Sequence, residues 1–179
     1  MTFVHDTRDK IGKHKNVDDY LEGEGHKIVR TKMFVGDITL LNNQSICIDL
    51  KKDLLEVCGN VAQQHERFCA ELRKAKENEI KLIILVEQKG IGCLDDVREW
   101  VNPRLKKSPL AISGERLHKI LYSLEKKYGC EFRFCEKKDT GKVIVDLLLG
   151  DKARKARRAE DVVLLRQGYQ TAKWLKAPM

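Results

Sequence analysis

A chain of 179 residues is long enough for one domain with a single hydrophobic core and a short extension. Hydrophobic residues make up 42% of it and charged residues 35%, which argues against intrinsic disorder, and no apolar run reaches the roughly 18 residues of a membrane span. The net charge of +8 favours a polyanionic partner such as nucleic acid, and the charged N-terminus predicts a cytoplasmic protein, nucleoid-associated if bacterial or phage-encoded.

The first third of the chain is predicted to be rich in β-structure. Residues 1–5 are apolar and lead into charged residues, which predicts a short buried strand, and a helix is predicted around residues 17–21. Three β-prone runs follow, separated by short polar or glycine-containing turns, and this pattern predicts an antiparallel meander. The three runs are residues 27–33, 38–41 and 45–50.

Helices and strands are predicted to alternate from there to residue 150. Apolar residues spaced i, i+3, i+4 and i+7 over residues 54–72 predict one long amphipathic helix. The apolar run at residues 80–86 then predicts a central strand entered by a right-handed crossover. Ser113 and Gly129 suit the two ends of a further helix. The other predicted elements are a short helix at residues 95–101, a strand at 130–135 and a helix at 140–149.

These elements predict an α/β domain over residues 1–150, with a central mixed β-sheet flanked by helices, and a basic extension over residues 151–179. The extension has eight basic and three acidic residues, so it carries +5 of the net charge. Its first part is interpreted either as an arm that binds phosphate groups or as a solvated helix face. The basic side chains of that part are Lys152, Arg154, Lys155, Arg157 and Arg158.

The strand predicted at residues 45–50 carries the candidate catalytic side chains. Its period of two places Asp49 and Lys51 on the face opposite the β-branched residues. The alternative interpretation is an edge strand with one solvated face. Asp37 begins the preceding predicted strand, so a hairpin would bring its carboxylate beside Asp49, with the Lys51 ammonium one pleat further on.

This group of side chains meets the needs of phosphodiester hydrolysis. A hard divalent cation neutralises charge and lowers the pKa of bound water, and Mg²⁺ in proteins is typically held by one or two carboxylates. Asp37 and Asp49 would supply them, with Mn²⁺ as the alternative ion. Lys51 can orient the attacking water or stabilise the charge that develops on the phosphate.

Four features occur in order along the chain: Phe-Val-His-Asp-Thr-Arg-Asp at residues 3–9, Val-Gly-Asp at 35–37, Ile-Asp-Leu-Lys at 48–51, and an apolar strand ending in Val-Glu at 86–87. Together they resemble the nuclease domain of XPF-type structure-specific endonucleases, a branch of the PD-D/E-XK superfamily, which carries D-x-R-E, G-D, E-R-K and I-E elements. The resemblance implies a restriction-endonuclease-like fold and a metal-dependent endonuclease of branched or structured DNA. Small stand-alone proteins similar to this one occur in phage and prophage gene sets.

The resemblance also implies further site residues. Asp6 would bind the metal and Asp9 would complete the catalytic acids, while Arg8 would pair with a neighbouring carboxylate or a phosphate. Gln64 and Arg67, in the predicted long helix, would face the cleft and contact substrate. The alternative for these two residues is a solvated helix face.

Three residues depart from the family pattern. Asp9 and Asp49 stand where the family has glutamate, which keeps a carboxylate but shortens its reach and would retune metal geometry. Leu50 stands where the family has arginine, so a planar bidentate phosphate contact is missing. No tandem helix-hairpin-helix module is recognisable, and the basic extension would take over its grip on branched DNA.

Two other functions fit parts of the sequence. One is a non-catalytic DNA-binding or scaffolding subunit with an XPF-like fold, because XPF-type domains pair as active and inactive partners. The other is an interaction protein outside nucleic-acid biology, in which the acidic patch and basic extension only solvate the surface. A homodimer or pairing with another subunit is left open, and no membrane partner is expected.

Overall fold

A six-stranded mixed sheet forms the centre of the protein in a computed structural model, which describes residues 1–8, 10 and 12–150. The strands are β1 (Thr2–Asp6), β2 (Lys27–Thr31), β3 (Ile38–Leu40), β4 (Asn43–Lys51), β5 (Lys81–Glu87) and β6 (Glu131–Cys135). The helices are α1 (Lys15–Gly23), α2 (Leu54–Ala62), α3 (His65–Glu77) and α4 (Gly114–Tyr128), and a further helix covers residues 140–150. The predicted α/β fold, with helices flanking a central mixed sheet, is confirmed.

The sheet belongs to a compact unit that spans Met1–Ile144, and residues 145–150 are described as separate from it. The predicted basic extension at residues 151–179 lies outside the described residues. None of the helices in the described part of the chain is both long enough and apolar enough to cross a membrane.

The strand order is β2-β1-β3-β4-β5-β6, and only β3 runs antiparallel to its neighbours. The crossover from β1 to β2 leads one way along the sheet, and those from β4 to β5 and from β5 to β6 lead the other way. Because such connections are right-handed, α1 covers one face and α2, α3 and α4 cover the other. Burial agrees: the core cluster of the second face contains Leu54, Phe68 and Leu117 but not Val17 or Leu21 of α1.

β5 and α4 form where the sequence predicts them. β5 lies between β4 and β6, and its residues from Leu82 to Val86 are at most 2% exposed. Burial of each aliphatic side chain contributes about 1.5–3 kcal/mol relative to exposure, so this strand anchors both faces of the core. Helix α4 begins after Ser113, whose Oγ accepts the backbone N–H of Arg116 at 3.3 Å, and ends at Gly129 with a left-handed φ of 71°.

The predicted antiparallel meander is wrong for its first strand. β2 pairs in parallel with β1, so β1 lies between β2 and β3, and α1 makes the crossover from β1 to β2. Alternation of apolar residues identifies a strand but not its pairing partner. The helix that precedes β2 favours a parallel pair, because a parallel neighbour requires a crossover of a dozen or more residues.

The predicted single helix over residues 54–72 is two helices, α2 and α3, which meet at Gln63 and Gln64. At the junction the Gln64 N–H donates to the carbonyl of Gly59, five residues back, at 3.0 Å. The apolar periodicity continues across the break, since Val61 and Phe68 are seven residues apart and both are buried. Pattern alone therefore predicts the buried face correctly and misses the break.

Two further interpretations are corrected. β4 is not an edge strand, because β3 and β5 pair with its two sides, and residues from Cys47 to Leu50 are buried. The short helix predicted at residues 95–101 is a 3-10 helix at Asp95–Glu99, which is more tightly wound than an α-helix and ends before Trp100.

Candidate active site

A cleft of about 440 Å³ opens where β1 and β4 end and β3 begins. β1 and β4 run in the same direction, and the crossovers that follow them lead toward opposite edges of the sheet. Ligands of open α/β sheets bind beyond the carboxyl ends of strands at such a switch of winding direction. The residues that line the cleft are Arg8, Lys13, Phe34, Asp37, Asp49, Leu50, Lys51, Glu56, Asn60, Gln64, Arg67, Phe68, Ala70, Glu71 and Lys74.

Asp37 is held against β4 by its backbone and its side chain. Its N–H donates to the carbonyl of Ile48 at 2.8 Å, and its Oδ2 accepts the N–H of Leu50 at 2.8 Å. Gly36 precedes it with a φ of 70°, and a Cβ at that glycine would lie 3.0 Å from the Ile48 carbonyl oxygen. The close approach that puts Asp37 beside β4 therefore requires a residue without a side chain.

Asp49 and Lys51 form a buried ion pair on the face of β4 that α2 and α3 cover. Lys51 Nζ lies 2.8 Å from Asp49 Oδ1 and 2.6 Å from Oδ2, and the lysine and aspartate side chains are 11% and 6% exposed. The ring of Phe68 lies beside the lysine, with its centroid 6.0 Å from Nζ. In the pairing of β3 with β4, Ile38 lies opposite Ile48. Asp49 is the next residue along β4, so it lies next to Asp37, as the sequence predicts.

Three carboxylates and one ammonium group interact with one another around Asp49. Burial raises the pKa of Asp49 well above its usual value, and the nearby Asp37 and Glu71 carboxylates raise it further, against the opposing effect of Lys51. Burial alone would lower the pKa of Lys51, but Asp49 and Asp37 raise it above the usual value, so the lysine stays charged. The acidic groups thus outnumber the one ammonium group among them.

Arg8 reaches the cleft from the end of β1 and is oriented by Asp6. The Arg8 backbone N–H donates to Asp6 Oδ1 at 2.8 Å and its Nε–H to Oδ2 at 2.6 Å, and Nη2 also contacts Oδ2. Asp6 is 2% exposed, and its pKa is lowered because these bonds outweigh burial. Of the two partners predicted for Arg8, the structure thus shows the carboxylate, while half of the guanidinium side chain remains exposed.

Helix α3 forms the wall opposite the sheet. Gln64 immediately precedes this helix, and Arg67, Glu71 and Lys74 follow at three- and four-residue intervals, so one face of the helix presents all of them to the cleft. The sequence predicts Gln64 and Arg67 here and misses Glu71 and Lys74. Continuing the same helical stripe by two more turns would have found both.

Glu71 links this helix to the segment that carries Asp37. Its Oε1 accepts the N–H of Gly36 at 3.1 Å, and its charge raises the pKa of Asp49. This carboxylate therefore both holds the backbone next to Asp37 and adds negative charge to the site.

The predicted site residues divide into three groups. Asp37, Asp49, Lys51, Arg8, Gln64 and Arg67 line one cleft. Asp6 does not line it and is engaged by Arg8, so its role as a metal ligand stays a prediction. Asp9, Lys152, Arg154, Lys155, Arg157 and Arg158 lie outside the described residues.

Leu50 stands where the resemblance leads one to expect arginine, and its side chain is only 3% exposed. It points away from Asp49 by strand alternation, into the opposite side of the sheet. The guanidinium groups of the cleft come instead from Arg8 on the sheet side and Arg67 on the helix side.

The donor set fits a hard divalent cation. Among the described residues, no three His, Cys, Asp or Glu side chains converge as a metal site. Asp37 and Asp49 are two carboxylates, the number that Mg²⁺ typically takes from a protein when water and phosphate oxygens complete its shell. Both oxygens of Asp49 lie within 2.8 Å of Lys51 Nζ, so an ion bound at Asp49 would share that carboxylate with the ammonium group.

Comparison with known proteins finds similarity in fold but not in sequence family. No protein-family model matches the chain, and no curated protein matches it in sequence. XPF from Aeropyrum pernix superimposes with a TM-score of 0.56 and 19% identity, over 83% of this chain and 60% of that one. XPF from Aeropyrum pernix in complex with DNA gives a TM-score of 0.58 and 19% identity, over 82% and 62%. The chain has an XPF-like fold. It spans about three fifths of the length of these XPF chains.

Proposed function

We propose that this protein is a metal-dependent DNA endonuclease of the PD-D/E-XK type that hydrolyses phosphodiester bonds in branched or structured DNA. The observation that carries the proposal is the convergence of Asp37, Asp49 and Lys51 in one cleft at the switch point of an XPF-like sheet. The likeness to an XPF that has been solved with DNA supports DNA as the partner.

Asp37 and Asp49 would hold Mg²⁺ or Mn²⁺, and when bound this ion would neutralise phosphate charge and acidify a water molecule. The protein's own contribution is to hold the carboxylates still before substrate arrives. The Leu50 N–H fixes one oxygen of Asp37, and burial on β4 fixes Asp49. Fixed ligands keep the reorganisation cost of the reaction low.

Lys51 would act on the reacting phosphate. Its pKa is raised, so it donates hydrogen bonds and does not serve as a base at neutral pH. An ammonium group held by the Asp49 carboxylate and lying beside the Phe68 ring is placed to orient the attacking water or to stabilise charge on a phosphate oxygen.

The rest of the cleft suits a nucleic-acid strand. Arg8, Lys13, Arg67 and Lys74 surround the acidic pair and can neutralise successive phosphates. Gln64 offers both donors and acceptors beside them. Binding of DNA should therefore weaken as salt rises, which separates this proposal from an interaction protein outside nucleic-acid biology.

The direct test of the proposal is cleavage of a panel of end-labelled DNAs by the purified chain in Mg²⁺ or Mn²⁺. The panel contains duplex, single-stranded, flap, fork and four-way DNA. We expect cleavage that requires the divalent ion and is faster on branched DNA than on duplex. Absence of cleavage on every member, from protein that binds the same DNAs, would contradict the proposal.

A second candidate function is a non-catalytic DNA-binding or scaffolding subunit. Two observations favour it. A buried leucine, Leu50, stands where the resemblance leads one to expect arginine, and Lys51 Nζ lies within 2.8 Å of Asp49, a carboxylate that would bind the metal. Titration with Mn²⁺ separates the two functions. A nuclease binds the ion through Asp37 and Asp49, and the Asp37→Asn variant weakens that binding, whereas a scaffold need not bind it.

The basic extension is predicted to strengthen DNA binding without affecting the chemistry. Replacing the five basic residues of its first part by alanine in the full chain should flatten the plot of log K against log salt, by about 0.9 for each phosphate that the variant no longer neutralises. The variant replaces Lys152, Arg154, Lys155, Arg157 and Arg158. Fluorescence anisotropy of labelled DNA at several salt concentrations measures the slope.

The matched control removes the same charge elsewhere, from five exposed residues outside the cleft, Lys106, Lys107, Arg116, Lys119 and Lys126. We expect a smaller change of slope in the control. Equal slopes for the two variants would show that the extension acts only through net charge, which favours the solvated helix face.

A further inference from the structure

Phe34 is an exposed aromatic side chain on the rim of the cleft. It is 52% exposed, while Met33 and Val35 on either side of it are 8% and 1% exposed. Single exposed apolar residues are common on protein surfaces and need no explanation by themselves. Phe34 is of interest because of its position, since it lines the same cleft as Asp37 and Asp49.

The backbone that presents Phe34 is fixed by side chains from the surrounding elements. Arg8 Nη2 donates to the carbonyl of Met33 at 3.4 Å, and Lys74 Nζ donates to the carbonyl of Phe34 at 3.0 Å. Glu71 accepts the N–H of Gly36 at 3.1 Å. The ring is thus mounted on a segment held at three points, so a ligand that contacts it orders little additional chain.

The surroundings of the ring are cationic. Lys74 Nζ lies 3.7 Å from the ring centroid, a cation–π contact, and Arg8, Lys13 and Arg67 line the same cleft. An apolar peptide or a lipid chain would need exposed apolar neighbours, but Leu50 and Phe68 in this lining are only 3% and 4% exposed. An aromatic face among cations instead suits a flat heterocycle attached to phosphate, which is a nucleotide.

We propose that Phe34 is a stacking platform for an unpaired nucleobase of the DNA strand whose phosphate enters the Asp37–Asp49 site. The proposal rests on the proposed function and deepens it. A base inside a duplex is stacked on both faces and would have to be unpaired and unstacked to reach the ring, so a base in a single-stranded or branched segment is favoured there. Phe34 would then select DNA with unpaired nucleotides next to the bond to be cleaved.

The test uses the full chain with Ca²⁺ in place of Mg²⁺ and a fork whose unpaired arm contains 2-aminopurine, a fluorescent base that stacking quenches. Wild-type protein and Phe34→Trp should quench it, and Phe34→Ala and Phe34→Leu should not. Base–aromatic stacking predicts that affinity for the fork falls roughly 5- to 150-fold in Phe34→Ala, with little change for duplex. Phe34→Leu keeps an apolar side chain, which separates stacking from loss of packing.

Tyr122→Ala is the matched control. Tyr122 is 50% exposed and has Lys126 Nζ 5.4 Å from its ring centroid, so its environment is similar, but it lies on α4 and does not line the cleft. This variant should bind and quench as the wild type does. Quenching that survives in Phe34→Ala, or an equal loss of fork and duplex binding in that variant, would overturn the stacking proposal.

The outcome is separable from that of the proposed function because fluorescence and affinity need no cleavage. A wild-type protein that quenches through Phe34 but cuts no DNA would support the platform and contradict the nuclease. A protein that cuts DNA equally well with and without Phe34, on forked and duplex DNA alike, would support the nuclease and contradict the platform.

Discussion

Replacing Asp37 with asparagine should lower the single-turnover rate of DNA cleavage by roughly 10²- to 10³-fold or more, because several kcal/mol of transition-state stabilisation depend on the ion that its charge would bind. DNA affinity should change little. The asparagine Oδ1 can still accept the N–H of Leu50, and Asp37 is only half-buried, so the fold should persist. Rates are measured with labelled fork DNA, and folding is checked by circular dichroism.

Asp37 is a cleaner position for this test than Asp49. Asp49 is the partner of the nearly buried Lys51, so Asp49→Asn would leave an ammonium group without its counter-charge. Asp53→Asn serves as the control, since Asp53 lies just beyond the same strand, caps α2 and does not line the cleft. Cleavage by Asp37→Asn at the wild-type rate would remove Asp37 from the site.

Replacing Lys51 with alanine should cost roughly 10²- to 10³-fold in kcat, as loss of one donor to developing charge does in other enzymes, with a much smaller change in DNA affinity. It should also lower the free energy of unfolding, by about 3 kcal/mol at most, because Asp49 stays buried without its partner and can relieve this by taking up a proton. Timed cleavage assays and urea unfolding measure the two effects separately.

Lys52→Ala is the control for this variant, because it removes the same charge from the next residue, which is exposed and outside the cleft lining. It should leave both kcat and stability close to wild type. Equal losses of kcat and DNA affinity in Lys51→Ala would identify Lys51 as a binding residue that has no specific action on the transition state.

The pattern of residues along the predicted strands was enough to predict the site residues at β3 and β4. Alternation along β4 places Asp49 and Lys51 on one face, and the register of a β-hairpin brings Asp37 next to them, so these three side chains follow from strand geometry alone. The same is true of α4, where a serine and a glycine mark the two ends. In each case the information lies within a few residues along the chain.

Features that depend on distant parts of the chain were missed. Glu71 matters because its Oε1 reaches Gly36, and Lys74 because it lies on the Phe34 ring, and both contacts join residues more than thirty positions apart. The break between α2 and α3 lacks a proline or glycine to mark it at Gln63 and Gln64. The helical stripe can point to Glu71 and Lys74, but their contacts with Gly36 and Phe34 become visible only when the helix is placed on the sheet.

The pairing of β2 illustrates the same limit at the level of topology. Its residues alternate as those of any half-exposed strand do, and nothing in them distinguishes β1 from β3 as a partner. The partner of β2 is determined by the connection that contains α1, which is long enough for a right-handed crossover that places β2 parallel to β1. It matters for function, because this crossover creates the switch point at which the cleft lies.

The most direct test of the central claim compares wild-type protein and Asp37→Asn, purified identically, in single-turnover cleavage of a labelled fork with Mg²⁺, with Mn²⁺ and with a chelator. We predict that wild-type protein cleaves in either ion and stops in the chelator, and that Asp37→Asn, which binds the same fork, is at least about 100-fold slower. Cleavage by the two proteins at equal rates, or wild-type cleavage that persists in the chelator, would contradict a metal-dependent nuclease built on Asp37, Asp49 and Lys51.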